Sequence, residues 1–160
     1  MQVFDASSII YAWDNYPPEQ FPPLWNWLAK TVQNHDIAFS TVALEEVRHK
    51  LPECADWLDG HSVLKLPVTN AILQEAMNIK SLLGIVGDSY HVKGVDENDL
   101  IIIATAKYHG VGLVSDESAQ KLPDKPAKRK IPAVCVMSDV RVTCSNFLAY
   151  LKASKEKFGG

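Results

Sequence analysis

The chain lacks the residues that several functional classes depend on. It holds three cysteines, Cys54, Cys135 and Cys144, far apart and without a CxxC pair. That pattern argues for reduced thiols and against a structural zinc site. The five histidines show no HExxH or other paired spacing, so a histidine-held catalytic metal is not expected. No apolar run approaches the ~20 residues that a membrane span requires. The opening "MQVFDASSIIYAW" has no basic stretch and carries an Asp inside its apolar run, so neither a signal peptide nor membrane attachment is expected, and a cytoplasmic location is. Net charge is only −3, so any contact with nucleic acid must come from a local patch rather than from the whole molecule. P-loop and GxSxG motifs, internal repeats and low-complexity segments are all missing. "GVGL" at 110–113 is half of a dinucleotide fingerprint that runs into a strand, and it reads as a turn.

What is present suits a single globular domain. The 160 residues are 47% hydrophobic and 22% charged, enough to bury a core. One domain is expected over 1–151, followed by a basic tail over 152–160. "QVFD" (2–5) reads as a buried strand leading into a helix, and the proline-rich "NYPPEQFPP" (15–23) as a connector. Leu24, Trp25, Leu28 and Val32 fall on one helical face. "DIAFS" (36–40) is a second strand, and "TVALEEVRHK" a helix that stops before Pro52. A further helix spans 69–83, capped by Thr69 or Asn70, with Gly84 after its last turn.

"DENDLIIIATAKYHG" carries three consecutive isoleucines, which favour a strand. Its length and the terminal Gly110 favour instead a helix buried nearly all round. "VGLVSD" (111–116) and "AVCVM" (133–137) read as strands, and 139–157 as a closing helix. Alternating strands and helices predict a three-layer α/β/α sandwich around a central, mostly parallel sheet.

In such folds ligands bind beyond the carboxyl ends of the strands, near the point where strand order reverses. Asp5 ends the first strand, Glu45 and Glu46 lie in the helix after the second, and Asp99 lies in the first turn of the buried helix. Asp96 precedes it on the same side, and Asp116 and Glu117 follow a later strand. Each close carboxylate pair costs ~1 kcal/mol in water and ~3 kcal/mol at an effective dielectric near 20, more than helix N-termini return. Convergence of these acids requires raised pKa values or a divalent cation. With no His or Cys nearby, the all-oxygen set points to Mg²⁺ or Mn²⁺. Any single acid at a helix start is more often only a cap; the conjunction of four such sites carries the argument.

The ordered set "VFDASSII", "FSTVALEEV", "DENDLIIIATAKYHG" and "GLVSDES" resembles the PIN-domain family of metal-dependent nucleases, over roughly residues 2–150. The insert "DNYPPEQFPPLWNWL" and "KIPAVCVM" resemble an uncharacterised bacterial and archaeal subgroup related to the toxins of toxin–antitoxin pairs. The resemblance implies an endoribonuclease that hydrolyses RNA phosphodiester bonds with Mg²⁺ or Mn²⁺. It implies Asp5, Glu46 and Asp99 as metal ligands, with Asp116 or Glu117 as the fourth acid. Ser7, Ser115 and Asp96 take auxiliary places. It also implies an antitoxin partner and a homodimer. The rival reading is a PIN-like binding module that acts through a protein or RNA partner without catalysis. A phosphoacceptor domain centred on Asp5 lacks the adjacent paired acids and the downstream strand-end Lys.

Two further stretches bear on partners. "QKLPDKPAKRK" (120–130) contains Lys128, Arg129 and Lys130, a candidate arm for the RNA backbone or else a solvated loop. Tyr11, Trp13, Tyr16, Phe21, Trp25 and Trp27 cluster within 11–27. They could stack bases or line a groove for an antitoxin helix, although core packing accounts for at least half of them.

Overall fold

A computed structural model describes residues 1–118 and 120–159; Ala119 and the final tail residue Gly160 lie outside the described residues. Five parallel strands form one sheet: β1 (Gln2–Phe4), β2 (Ile37–Ser40), β3 (Leu64–Leu66), β4 (Gly112–Val114) and β5 (Cys144–Ser145). Their order is β3-β2-β1-β4-β5. Among the described residues eight α-helices accompany them: α1 (Ala6–Asn15), α2 (Pro22–Gln33), α3 (Thr41–Lys50), α4 (Pro52–Gly60), α5 (Asn70–Leu82), α6 (Glu97–His109), α7 (Ile131–Cys135) and α8 (Phe147–Ser154). This is the expected α/β/α sandwich, with a sheet that is parallel throughout.

The strands are short and apolar because both faces are covered. Val3, Phe4, Ile37, Ala38, Phe39, Leu113 and Val114 are all fully buried. Phe4 is a hub, its ring 5.9 Å from Phe39, 6.5 Å from Phe147 and 5.1 Å from Tyr150. The isoleucine run is helical, and α6 buries every residue from Leu100 to Ala106. It packs against α5 and lies across β1, β2 and β4. Gly110 ends it in the left-handed region, φ 65°, where a side chain would meet its own carbonyl. Leu24, Trp25, Leu28 and Val32 form the buried face of α2.

The chain after β4 departs from the expected pattern. The segment 133–137 is not a strand: α7 runs from Ile131 to Cys135. Pro132 suits the first turn of a helix, and the Glu117 carboxylate accepts the Ile131 N–H at 2.9 Å. These local features outweigh the β-propensity of Val134 and Val136. The fifth strand is instead Cys144–Ser145, inside the stretch expected to be helical, so the closing helix begins only at Phe147. Helix α4 and strand β3 are additional elements. Helix α8 continues to Ser154, and Phe158 of the tail stacks on Trp27 with ring centroids 5.6 Å apart.

The candidate acidic site

Strand order reverses between β1 and β4, which pair in register with Phe4 opposite Val114. The next residues along these strands are Asp5 and Ser115, so the switch point places a carboxylate beside a hydroxyl. Asp5 stands at the N-cap position of α1, yet its side chain makes no cap hydrogen bond. Its Oδ2 instead accepts from Ser7 Oγ at 2.7 Å and Ser115 Oγ at 3.0 Å. Ser7 in turn accepts the Asp116 N–H at 2.9 Å, and Ser115 the Glu117 N–H at 3.3 Å. Ser8 locks the backbone, donating to the carbonyls of Asp5 (2.7 Å) and Val114 (3.1 Å). Asp5 is therefore held rigidly although only 3% exposed. Burial raises its pKa, the two serines and the Ala6 N–H oppose that shift, and the charge of Glu46 adds to it.

Asp99 and Asp96 form a reciprocal capping box at the start of α6. Asp96 Oδ1 accepts the Asp99 N–H at 2.8 Å, and Asp99 Oδ2 accepts the Asp96 N–H at 3.1 Å. The cap does not exhaust the role of Asp99. Its pKa is pushed up to about 8, first by burial and then by the charges of Glu117, Asp96 and Asp5, against the Asp96 N–H that lowers it. Glu117 is also raised, by burial and by Asp5 and Asp96, while Lys130 and the Ile131 N–H pull it down. Asp5, Glu46, Asp96, Asp99 and Glu117 thus feel one another at the carboxyl edge of the sheet.

Asp116 does not join this group. Its Oδ1 accepts the Phe147 N–H at 2.8 Å and ties β4 to the first turn of α8. Burial raises its pKa and that N–H lowers it, with no other acid contributing. Of the two candidates after β4, Glu117 is the one whose charge acts on Asp99. In α3, Glu46 acts on Asp5, whereas Glu45 lines a cavity of about 240 Å³ with Thr41, Leu44, Arg48, Ala55, Asp59 and Lys65.

Among the described residues no three His, Cys, Asp or Glu side chains are gathered closely enough to form a metal cluster. The donor chemistry nevertheless suits a hard divalent cation: all-oxygen ligands, raised carboxylate pKa values, and one acid fixed by two hydroxyls.

The sequence reading missed Lys50. At the end of α3 it donates to Glu46 Oε1 at 2.7 Å and also feels the charges of Asp5 and Asp99. The i, i+4 spacing of Glu46 and Lys50 was the available signal. The basic stretch is a packed loop rather than a free arm. Lys128 pairs with Asp124 at 3.2 Å, Arg129 donates to the Ala133 carbonyl at 3.2 Å, and the Val95 N–H donates to the Arg129 carbonyl at 2.9 Å. Within the aromatic cluster, Trp13, Trp25 and Trp57 stack edge-on at 5.2 and 5.0 Å, and Trp25 Nε1 donates to the Tyr16 carbonyl. Only Trp25 is fully in the core; Tyr11, Trp13, Tyr16 and Trp27 are partly buried against it, and Phe21 is 43% exposed.

A family model described as a domain of unknown function, DUF4411, matches residues 2–158. The chain belongs to the DUF4411 family. No curated protein matches it in sequence. Among solved structures, VapBC2 from Rickettsia felis, bound to a DNA fragment from its promoter, is similar over 91% of this chain and 97% of that one. The TM-score is 0.57 and the identity 17%. FitAcB from Neisseria gonorrhoeae is similar over 92% and 99%, with a TM-score of 0.54 and 16% identity. At these identities the likeness is one of fold: the DUF4411 chain shares the parallel α/β architecture of both structures.

Proposed function

We propose that this DUF4411 protein is a Mg²⁺- or Mn²⁺-dependent endoribonuclease and the toxin of a toxin–antitoxin pair. The observation that carries the reading is the buried Asp5 carboxylate at the β1/β4 switch point. Two serines orient it, and it is electrostatically linked to Glu46, Asp99 and Glu117. A buried acid with charged neighbours at a ligand-binding edge is a functional signature rather than a stabilising one.

Asp5, Glu46, Asp99 and Glu117 would hold the cation. When bound, it supplies a lowered pKa for water and positive charge against a phosphodiester. Ser7 and Ser115 keep the Asp5 carboxylate aimed, and the Asp96 cap fixes the first turn of α6, from which Asp99 projects. No side-chain nucleophile is required. Lys130, whose charge reaches Glu117, would meet the RNA backbone together with Lys128 and Arg129. The sequence resemblance to toxins of toxin–antitoxin pairs supports an antitoxin partner here.

The spread of the acids favours a second reading, a PIN-like binding module without catalysis. Mn²⁺-dependent cleavage of single-stranded RNA separates the two. The parent should cleave and Asp5→Asn should not, while both melt cooperatively, since Asn can still accept from both serines. Equal cleavage by Asp5→Asn, or none by the parent with Mn²⁺, would refute the nuclease reading.

A further inference from the structure

The cations recorded in ion pairs fall into two groups. Arg48 binds Asp56 and Asp59, Lys65 binds Asp59, Lys107 binds Glu75, and Lys128 binds Asp124. None of those acids belongs to the candidate site. Lys50 differs, because its partner Glu46 is one of the acids that would hold the cation. Its side chain is 58% exposed, against 34% for Glu46, so the ammonium sits on the solvent side of the pair. It terminates α3, where a cation also complements the helix dipole. The ammonium is also within electrostatic reach of Asp5 and Asp99.

An ion pair this exposed contributes little to stability, and a divalent cation that takes the Glu46 carboxylate competes with it directly. The Lys50 ammonium is then left at the rim of a neutralised site, on a flexible four-carbon stem. The anion that next comes within its reach is the substrate's. Resting on the nuclease reading, we infer that Lys50 is a substrate-binding residue: it pairs with Glu46 in the cation-free protein and with a non-bridging phosphate oxygen of single-stranded RNA when the cation is bound. The charge of Lys130 reaches Glu117, so a second lysine is available to the same strand.

The test compares the parent, Lys50→Gln and Lys50→Arg in two assays. Steady-state cleavage of a fluorogenic RNA with Mn²⁺ separates KM from kcat. Anisotropy of a labelled RNA, with Ca²⁺ replacing Mn²⁺, follows binding as salt is varied. Lys50→Gln should weaken binding and raise KM about five- to tenfold, change kcat little, and reduce the slope of log K against log salt by about 0.7, the value of one single-strand phosphate contact. Lys50→Arg should restore most of the loss, and the rise in melting temperature on adding Mn²⁺ should be undiminished in Lys50→Gln.

If the parent cleaves RNA while Lys50→Gln keeps its KM and salt slope, Lys50 is not a phosphate ligand. Loss of the Mn²⁺ response in Lys50→Gln would likewise overturn the inference, reducing Lys50 to a positioning group for Glu46. A parent inert toward RNA with Mn²⁺ removes the nuclease reading, and the substrate role of Lys50 with it.

Discussion

Asp99 offers the sharpest separation of a structural acid from a site acid, because it does both jobs. Its side chain accepts the Asp96 N–H, and its pKa is pushed up to about 8 from 3.8. Replacing it with Asn keeps an oxygen that can accept the same N–H and removes only the charge. The sign follows from linkage. The native state holds the Asp99 proton more tightly than the unfolded chain does, so this contribution is complete below about pH 4 and lost as pH rises through about 8. Taken alone, the shift amounts to roughly 6 kcal/mol across that window. Asp5 and Glu117 share the proton uptake, and solvent reaches the partly exposed carboxylate, which leaves about 2 kcal/mol near pH 9. For a domain of this size each kcal/mol moves the midpoint by about 2–4 °C.

In metal-free buffer Asp99→Asn should therefore melt with the parent near pH 4 and about 4–8 °C above it near pH 9. Adding Mn²⁺ at high pH should raise the parent and narrow the gap, since the cation relieves in the parent the repulsion that the substitution removes. Differential scanning calorimetry over a pH series reads both effects. A gap that stays constant with pH, or Asp99→Asn melting below the parent throughout, would show that Asp99 only caps α6.

The two acids after β4 should behave oppositely. Asp116→Ala removes the acceptor for the Phe147 N–H and should cost about 1–2 kcal/mol in a denaturant melt while leaving Mn²⁺-dependent cleavage near the parent's. Glu117→Gln should melt like the parent, because Gln can still accept the Ile131 N–H, yet lose cleavage; cleavage surviving Glu117→Gln but not Asp116→Ala would reverse the assignment. Gly94→Ala tests the packing of the loop before α6 on the basic loop: a Cβ there would overlap the Ala127 carbonyl oxygen. The backbone must shift, and destabilisation of about 1–3 kcal/mol in the same melt is the expected result; an unchanged midpoint would mean that the two loops do not pack.

The reach of the sequence can be judged from particular elements. Helix α6 was legible because its signals agree: length, Gly110 after the last turn, and an acidic start that proves to be a capping box. Strands β1, β2 and β4 were legible as apolar runs ending in polar residues, and Asp5 and Ser115, which lie side by side at the switch point, are two of those endings. The chain after Glu117 was not legible, for a specific reason. There the deciding interactions are long-range: Glu117 caps α7 across fourteen residues, and Asp116 caps α8 across thirty-one. A two-residue strand such as β5 has no periodicity of its own and exists because Leu113 and Ser115 need partners for their N–H groups, which the carbonyls of Thr143 and Ser145 supply at 2.8 Å.

The same logic explains why the sequence left the fourth acid open. Asp116 and Glu117 are neighbours with equal local claims, and only the positions of two distant helix N-termini distinguish them. Each helix start draws one carboxylate, but α8 takes Asp116 away from the other acids, whereas α7 holds Glu117 where Asp5 and Asp99 still feel its charge. A capping contact is thus no evidence against a role in the site. What decides is whether the capped helix points the acid toward the switch point or away from it.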